Sequence, residues 1–448
     1  MANFTDTLDN KIMPMARKLS NQKHLVSIRD GIVLVLPIII IGSIFLILLN
    51  LPIPGYEAFM TSVFGENWDT ALQYPVSATF DIIALIAAFG IAYRLAEKYD
   101  VDAISAGVLS VAAFLLATPY EVEFVPNEEA DPIMVEGGIP VELIGPEGLF
   151  VAIIIALFST EIYRFIIQKN FTFKMPEGVP PAVSKSFMAL VPAFIVIVLV
   201  WLVRLLIEQT IFGDIHELIY SIVGAPLTLA GGGYIGTMIA ILFQQALWAI
   251  GIHGAITVSG VMSPVWYTQL GENQQAFAAG EEIPNVVTPE FITLFVNTGG
   301  SGATIALVIL MVLLAKSAQM KQMGRLNIGP SLFGVNEPLL FGVPIVLNPL
   351  IIIPFILTPL AITTITFVTM STGLVAKPAG IAMPFTMPPI ISGYLATGGQ
   401  ISGAVIQFVN ILVGVAIYFG FFKIIDRSRL REEQEAEKKE SKSNEESV

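Results

Sequence analysis

Three stretches in the second half of the chain place polar side chains in strongly apolar surroundings. The first, FQQALWAIGIHGA, carries Gln244, Gln245, Trp248 and His253. The second is NTGGSGAT, residues 297–304, with Asn297 and Thr298. The third, residues 330–349, contains Asn336 and Glu337, and Glu337 is the sole acidic or basic side chain between Arg325 and Lys377. A carboxylate at membrane depth costs several kcal/mol, about 2.5–3.5 for an aspartate at a helix centre, so Glu337 is expected to face a cavity or a partner. There it would accept a proton from a ligand hydroxyl or couple to an ion.

Each signal has a structural counterpart. Glu337 also suits capping of broken-helix N–H groups, with Pro338 in the first turn. His253 lies between Gly251 and Gly254, so it is either a satisfied core histidine or an imidazole on an irregular turn within reach of a ligand hydroxyl. NTGGSGAT lacks the lysine of a nucleotide-binding loop. It reads either as close helix packing through Gly299, Gly300, Gly302 and Ala303 or as polar ligand contacts from Asn297 and Thr298. Trp248, among glutamines, suits a ligand platform, whereas Trp266, next to Tyr267, suits an interfacial aromatic belt.

The elements that position these residues are membrane-spanning helices. Apolar blocks lie at 31–50, 76–93, 103–118, 148–163, 187–207, 219–265, 291–315 and 331–424. Loops 51–75 and 119–147 contain no Lys or Arg and are acidic, whereas Arg94, Lys98 and the segment 164–185 are basic. The positive-inside rule therefore sets the N-terminus and 164–185 in the cytoplasm. Lys316–Arg325 reads as a cytoplasmic amphipathic segment. Charge parity then requires an odd number of crossings between 208 and 316, where two apolar blocks lie, so one is expected to enter and return. Broken backbone at that depth is tolerated where it lines a cavity, and such elements form transporter substrate sites. The expected division is a scaffold half, 1–210, a transport half, 211–425, and a charged cytoplasmic tail, 426–448, that is disordered or a frayed helical end.

Composition agrees with a bundle in lipid: 54% hydrophobic, only 13% charged, mean hydropathy +0.76. A net charge of −13 argues against nucleic-acid binding. No cysteine and three histidines argue against disulfides, thiolate chemistry and histidine-rich metal sites; no metal or cofactor is expected. No small-residue cleavage site follows the first apolar run, which is expected to remain as the first span.

GVNEPLLFGVPIVLNP, WAIGIHGA, NTGGSGAT, KMPEGVPPAVSKSF and the N-terminal DNKIMPMARKLSNQKHLVSIRDGIVLVLP together resemble the IIC membrane subunits of bacterial sugar phosphotransferase systems, in the lactose/cellobiose/diacetylchitobiose branch. The resemblance implies an all-α integral protein of the bacterial plasma membrane, with about ten transmembrane helices and two re-entrant hairpins in the C-terminal half. It implies a homodimer with both termini cytoplasmic, and an elevator-like shift of the sugar-binding half. It implies inward carriage of a β-linked disaccharide, cellobiose or diacetylchitobiose, and its phosphorylation by a IIB protein phosphorylated on cysteine, with IIA and HPr upstream. It places Glu337 and His253 at the accepting hydroxyl, with Asn336, Asn297, Trp248, Gln244 and Thr298 as substrate contacts. The rival reading is an ion-coupled secondary sugar transporter with Glu337 as the coupling carboxylate.

Overall fold

The computed structural model describes residues 22–51, 55–124, 133–173, 179–343 and 349–446. Most of the N-terminal stretch, Lys174 and part of the segment after Glu337 lie outside them. Two compact units emerge: residues 18–232 with 259–282, and residues 233–258 with 283–448.

In the first unit, α1 (Lys23–Val33) and α2 (Leu36–Leu49) make one apolar span. They are followed by α3 (Tyr56–Phe64), α4 (Trp68–Phe80), α5 (Ile83–Lys98) and α6 (Ala103–Ala117). Small residues set the spacing. Ala84, Ala88 and Ala96 line α5 in the core, and Gly31 of α1 lies so close to Ile91 that a Cβ there would meet its backbone at 2.5 Å. Buried Ser110 satisfies its hydroxyl on the carbonyl of Ala88 at 2.8 Å.

The chain is helical as expected, with one short ribbon in the acidic loop 119–147. Strands β1 (Glu121–Phe124) and β2 (Ile133–Glu136) pair antiparallel, with Glu121 opposite Glu136. Short α7 (Val141–Ile144) leads to α8 (Leu149–Gln168), then α9 (Pro181–Met188) and α10 (Leu190–Ile207). α11 (Ile215–Ile219), a π-helical turn and α12 (Ala225–Gly231) complete this part of the chain. Arg164, at the end of α8, bonds Glu161 at 2.7 Å and lies 4.4 Å from the Tyr99 ring centroid.

The second unit opens with α13 (Tyr234–Ala249); α14 (Gly254–Ala279) begins in it. A π-helical turn over Phe291–Val296 precedes α15 (Ile305–Leu314) and α16 (Ala318–Leu332). Next come α17 (Glu337–Gly342), α18 (Pro349–Ser371), α19 (Ile391–Ala396) and α20 (Ile401–Glu446). Leu307, Met311, Phe355, Tyr418 and Phe422 form its core with Trp248. The tail is helical: α20 runs on through Glu446. It also caps the basic amphipathic segment, since Asp426 accepts from the N–H groups of Lys316 and Ser317 and Glu433 from those of Ala318 and Gln319.

Among the described residues six helices are long and apolar enough to cross a bilayer, or seven if the broken pair Ile215–Gly231 and Tyr234–Ala249 counts as one span. That is fewer than the ten expected. Helices such as Ala103–Ala117 and Ile305–Leu314 are apolar but short of spanning length.

Candidate functional site

The three polar stretches meet in the second unit. α13 supplies Gln244 and Gln245, whose side-chain amides both donate to Asn297 Oδ1, at 3.2 and 3.4 Å. Asn297 ends the π-helical turn, its N–H bonded to the carbonyl of Ile292 at 2.9 Å. With Oδ1 committed to protein donors, its amide nitrogen is the group left for a ligand oxygen.

Glycines break the chain after Asn297. Gly299, Gly300 and Gly302 have φ of +77°, +100° and +83°, and Ala303 follows at 52°. These residues form a left-handed turn between helices, which corrects the reading of NTGGSGAT as a helix-packing stripe. At Gly300 a Cβ would fall 2.4 Å from Asn336 Cγ. Asn336 is buried there, and its amide donates to the carbonyl of Ser301 at 2.7 Å and to Thr304 Oγ1 at 2.9 Å. Its donors therefore bind the Asn336–Glu337 segment to the glycine turn. Thr298 is likewise committed, its hydroxyl donating to the carbonyls of Leu294 and Phe295 at 2.8 and 3.0 Å.

His253 precedes α14 on a turn made possible by Gly251, at φ +81°. Gly254 lets that turn press on α13, since a Cβ would meet the Gln244 carbonyl at 1.9 Å. His253 Nδ1 accepts the N–H of Ile256 at 3.3 Å, which puts the proton of the neutral ring on Nε2. That nitrogen lies 4.0 Å from Glu337 Oε1. Trp248 backs the imidazole, with ring centroids 4.3 Å apart at 46°. The indole itself is buried, and its Nε1 has no hydrogen-bond partner.

Glu337 is half-exposed. It occupies the first turn of α17 next to Pro338, and its side chain is 48% accessible, against 40% for His253. Asn336, the N-cap residue of this helix, makes no side-chain cap bond. The acid and imidazole both open to accessible space, while Asn297, Asn336 and Trp248 form a buried wall.

Two further residues of this unit carry features that bear on it. Phe385 is 58% exposed and passes beside Gly334, whose Cβ would meet the Phe385 carbonyl at 2.7 Å. Glu290 is buried ahead of the π-helical turn, with Oε2 unpartnered. Its signal was available, as the sole acid between Glu282 and Glu337.

Residues 29–359 match the family described as Phosphotransferase system, EIIC. The lichenan permease IIC component of Bacillus subtilis (strain 168) is 56% identical over 437 residues, covering 98% of this chain and 97% of that protein. The cellobiose-specific EIIC component of Geobacillus stearothermophilus is 54% identical over 436 residues, 97% of each. Among solved structures, the transporter ChbC, the IIC component from the N,N'-diacetylchitobiose-specific phosphotransferase system, aligns with a TM-score of 0.92 at 52% identity. The alignment covers 95% of this chain and 99% of that one. The chain thus belongs to the EIIC family of the phosphotransferase system.

Proposed function

We propose that this chain is the IIC permease for a β-linked disaccharide, cellobiose or N,N'-diacetylchitobiose, carried inward and phosphorylated by a phosphorylated IIB protein. Relatives named for lichenan, cellobiose and diacetylchitobiose support the substrate class. The observation that carries the reading is the 4.0 Å separation of His253 Nε2 and Glu337 Oε1. At that distance the two do not bond each other well, but a sugar hydroxyl beside them can accept from one and donate to the other.

In the transfer, His253 donates to the hydroxyl oxygen and holds it in line, while Glu337 takes its proton. The oxygen forms the O–P bond as the S–P bond to the IIB cysteine breaks, and the thiolate departs. Little else is required of the acceptor side. Asn297 offers its amide nitrogen to a second sugar oxygen, with Gln244 and Gln245 fixing its rotamer. Asn336 and Thr298 contribute by shaping the turn, and Trp248 by packing against His253. No cysteine among these 448 residues can carry the phosphoryl group; IIB supplies it, charged in turn by IIA and HPr.

The half 1–210 serves as the dimerising scaffold and the half 211–425 as the mobile sugar carrier, in an elevator-like cycle with re-entrant hairpins and both termini cytoplasmic. Exposed Lys321 and Arg325 on α16 suit docking of IIB, whereas Arg164 is already engaged by Glu161 and Tyr99. The test is uptake of radiolabelled cellobiose and diacetylchitobiose into vesicles, with phosphorylated IIB inside and the products separated. Sugar phosphate formed only with phosphorylated IIB supports the reading. Concentrated free sugar that collapses with the ion gradient would establish an ion-coupled transporter instead.

A further inference from the structure

Helix α20 carries two amides, Gln407 and Asn410, that are fully buried in an otherwise apolar stretch. A buried amide without partners costs a few kcal/mol, so the bonds it makes are informative. Gln407 Oε1 accepts from the N–H groups of Ile390, at 2.6 Å, and Gly393, at 2.8 Å. Its Nε2 donates to the carbonyl of Leu294 at 3.1 Å and to Ser392 Oγ at 2.9 Å. One side chain thereby joins the π-helical turn before Asn297 to the start of α19.

Both joined segments need an external hold. The carbonyls of Leu294 and Phe295 lie at a broken helix end, where intrahelical partners run out. Gln407 and Asn410 supply donors to them, and Thr298 bonds the same two oxygens. Ile390 has φ +74° and ψ −52°, a γ-turn conformation that is strained for a β-branched residue. Such a conformation persists only where its surroundings over-determine it. A small cavity of about 10 Å³ is bordered by Thr298, Gly299, Gly334, Phe385, Met387 and Ser392.

We infer that Gln407 is a positioning residue for the sugar site: it fixes the helix end that presents Asn297 to the strained Ile390 turn, so that the two segments hold one geometry. Gln407 touches no sugar and acts through Asn297. The inference rests on the sugar-binding reading proposed above. Gln407→Glu is the informative change, since it keeps an acceptor for Ile390 and Gly393 and replaces the amide that donates to both Leu294 and Ser392 with a carboxyl group, which cannot make both bonds.

The experiment is equilibrium binding of cellobiose and N,N'-diacetylchitobiose to the purified full-length protein, in a cycle of wild type, Gln407→Glu, Asn297→Ala and the double variant. Gln407→Glu is expected to weaken binding of the preferred sugar about tenfold or more. In the Asn297→Ala background the same change is expected to alter Kd less than about twofold. Equal weakening in both backgrounds, or wild-type affinity in Gln407→Glu, would overturn the inference. If Gln407→Glu does not purify as a folded species, Gln407→Asn, which is too short to reach both segments, is read by the same criteria. Absence of binding by the wild type to both sugars would instead overturn the sugar reading, and this inference with it.

Discussion

His253 Nε2 faces Glu337 Oε1 across 4.0 Å, while the opposite ring nitrogen is held by the N–H of Ile256. The backbone bond makes the imidazole a donor at Nε2, and the roles of the pair follow from it. His253 orients the hydroxyl oxygen, and Glu337 accepts the proton.

His253→Gln keeps a donor on a flexible stem but loses the ring contact with Trp248. We predict that sugar phosphate formation falls about 10²-fold or more, in the usual range for a positioned acid–base group. Disaccharide affinity is expected to change far less. Rates measured at saturating sugar with phosphorylated IIB check this, and an unchanged rate would contradict it.

Gly300→Ala sets a Cβ against Asn336 Cγ at φ +100°. The strain alone costs roughly 1–3 kcal/mol, and moving Asn336 breaks its bonds to Ser301 and Thr304. The expected outcome is a lower thermal midpoint and loss of disaccharide binding. Ser301→Ala, which keeps the carbonyl that Asn336 uses, is the control expected to bind as wild type.

Glu290 lies outside the spanning helices, and burial pushes its carboxyl up to about 7 from an ordinary value of 4.5. Its own backbone, the Thr288 hydroxyl and the backbone of Met383 oppose that shift. The folded chain therefore holds a proton that the unfolded chain has lost. The resulting stabilisation is full below about pH 4.5 and is lost as pH rises through 7. Its span is on the order of 3 kcal/mol. Glu290→Gln should flatten this dependence and be more stable than wild type at pH 8, with the difference shrinking toward pH 5. Thermal midpoints that stay parallel across that range would contradict the assignment.

Asp426 accepts from two backbone N–H groups and the Ser317 hydroxyl at the start of α16. Asp426→Ala removes a buried cap and should cost about 0.5–2 kcal/mol. Faster amide exchange at 318–321 is the expected signature, and unchanged protection there would contradict it.

Glu337 and His253 were legible because one is the lone charge in a long apolar run and the other is bracketed by glycines. Their meeting was not legible from residue types, since it depends on a tertiary contact between turns 84 positions apart. NTGGSGAT pointed equally to helix packing and to polar ligand contacts from Asn297 and Thr298; the left-handed turn was not legible, because helix packing and a positive φ both favour the missing Cβ. Residue types do not single out Gln407, since its partners Leu294, Ile390 and Gly393 meet it through main-chain groups. Strands β1 and β2 were hidden in an acidic loop: they are only four residues each, and their apolar face, Val122 against Val135 and Phe124 against Ile133, is too short to stand out among the flanking glutamates. Spanning helices were legible from hydropathy, but breaks such as Gly232–Gly233 and Gly251 leave several segments below crossing length.

The most direct test of the account is Glu337→Gln, measured for disaccharide binding and for phosphoryl transfer from phosphorylated IIB in the same preparation. The amide preserves size and can still contact the hydroxyl, but it cannot accept the proton. Binding is expected to stay within a few-fold of wild type while sugar phosphate formation falls about 10²-fold or more. Sugar phosphate made at the wild-type rate with binding intact would remove Glu337 as the base and contradict the account.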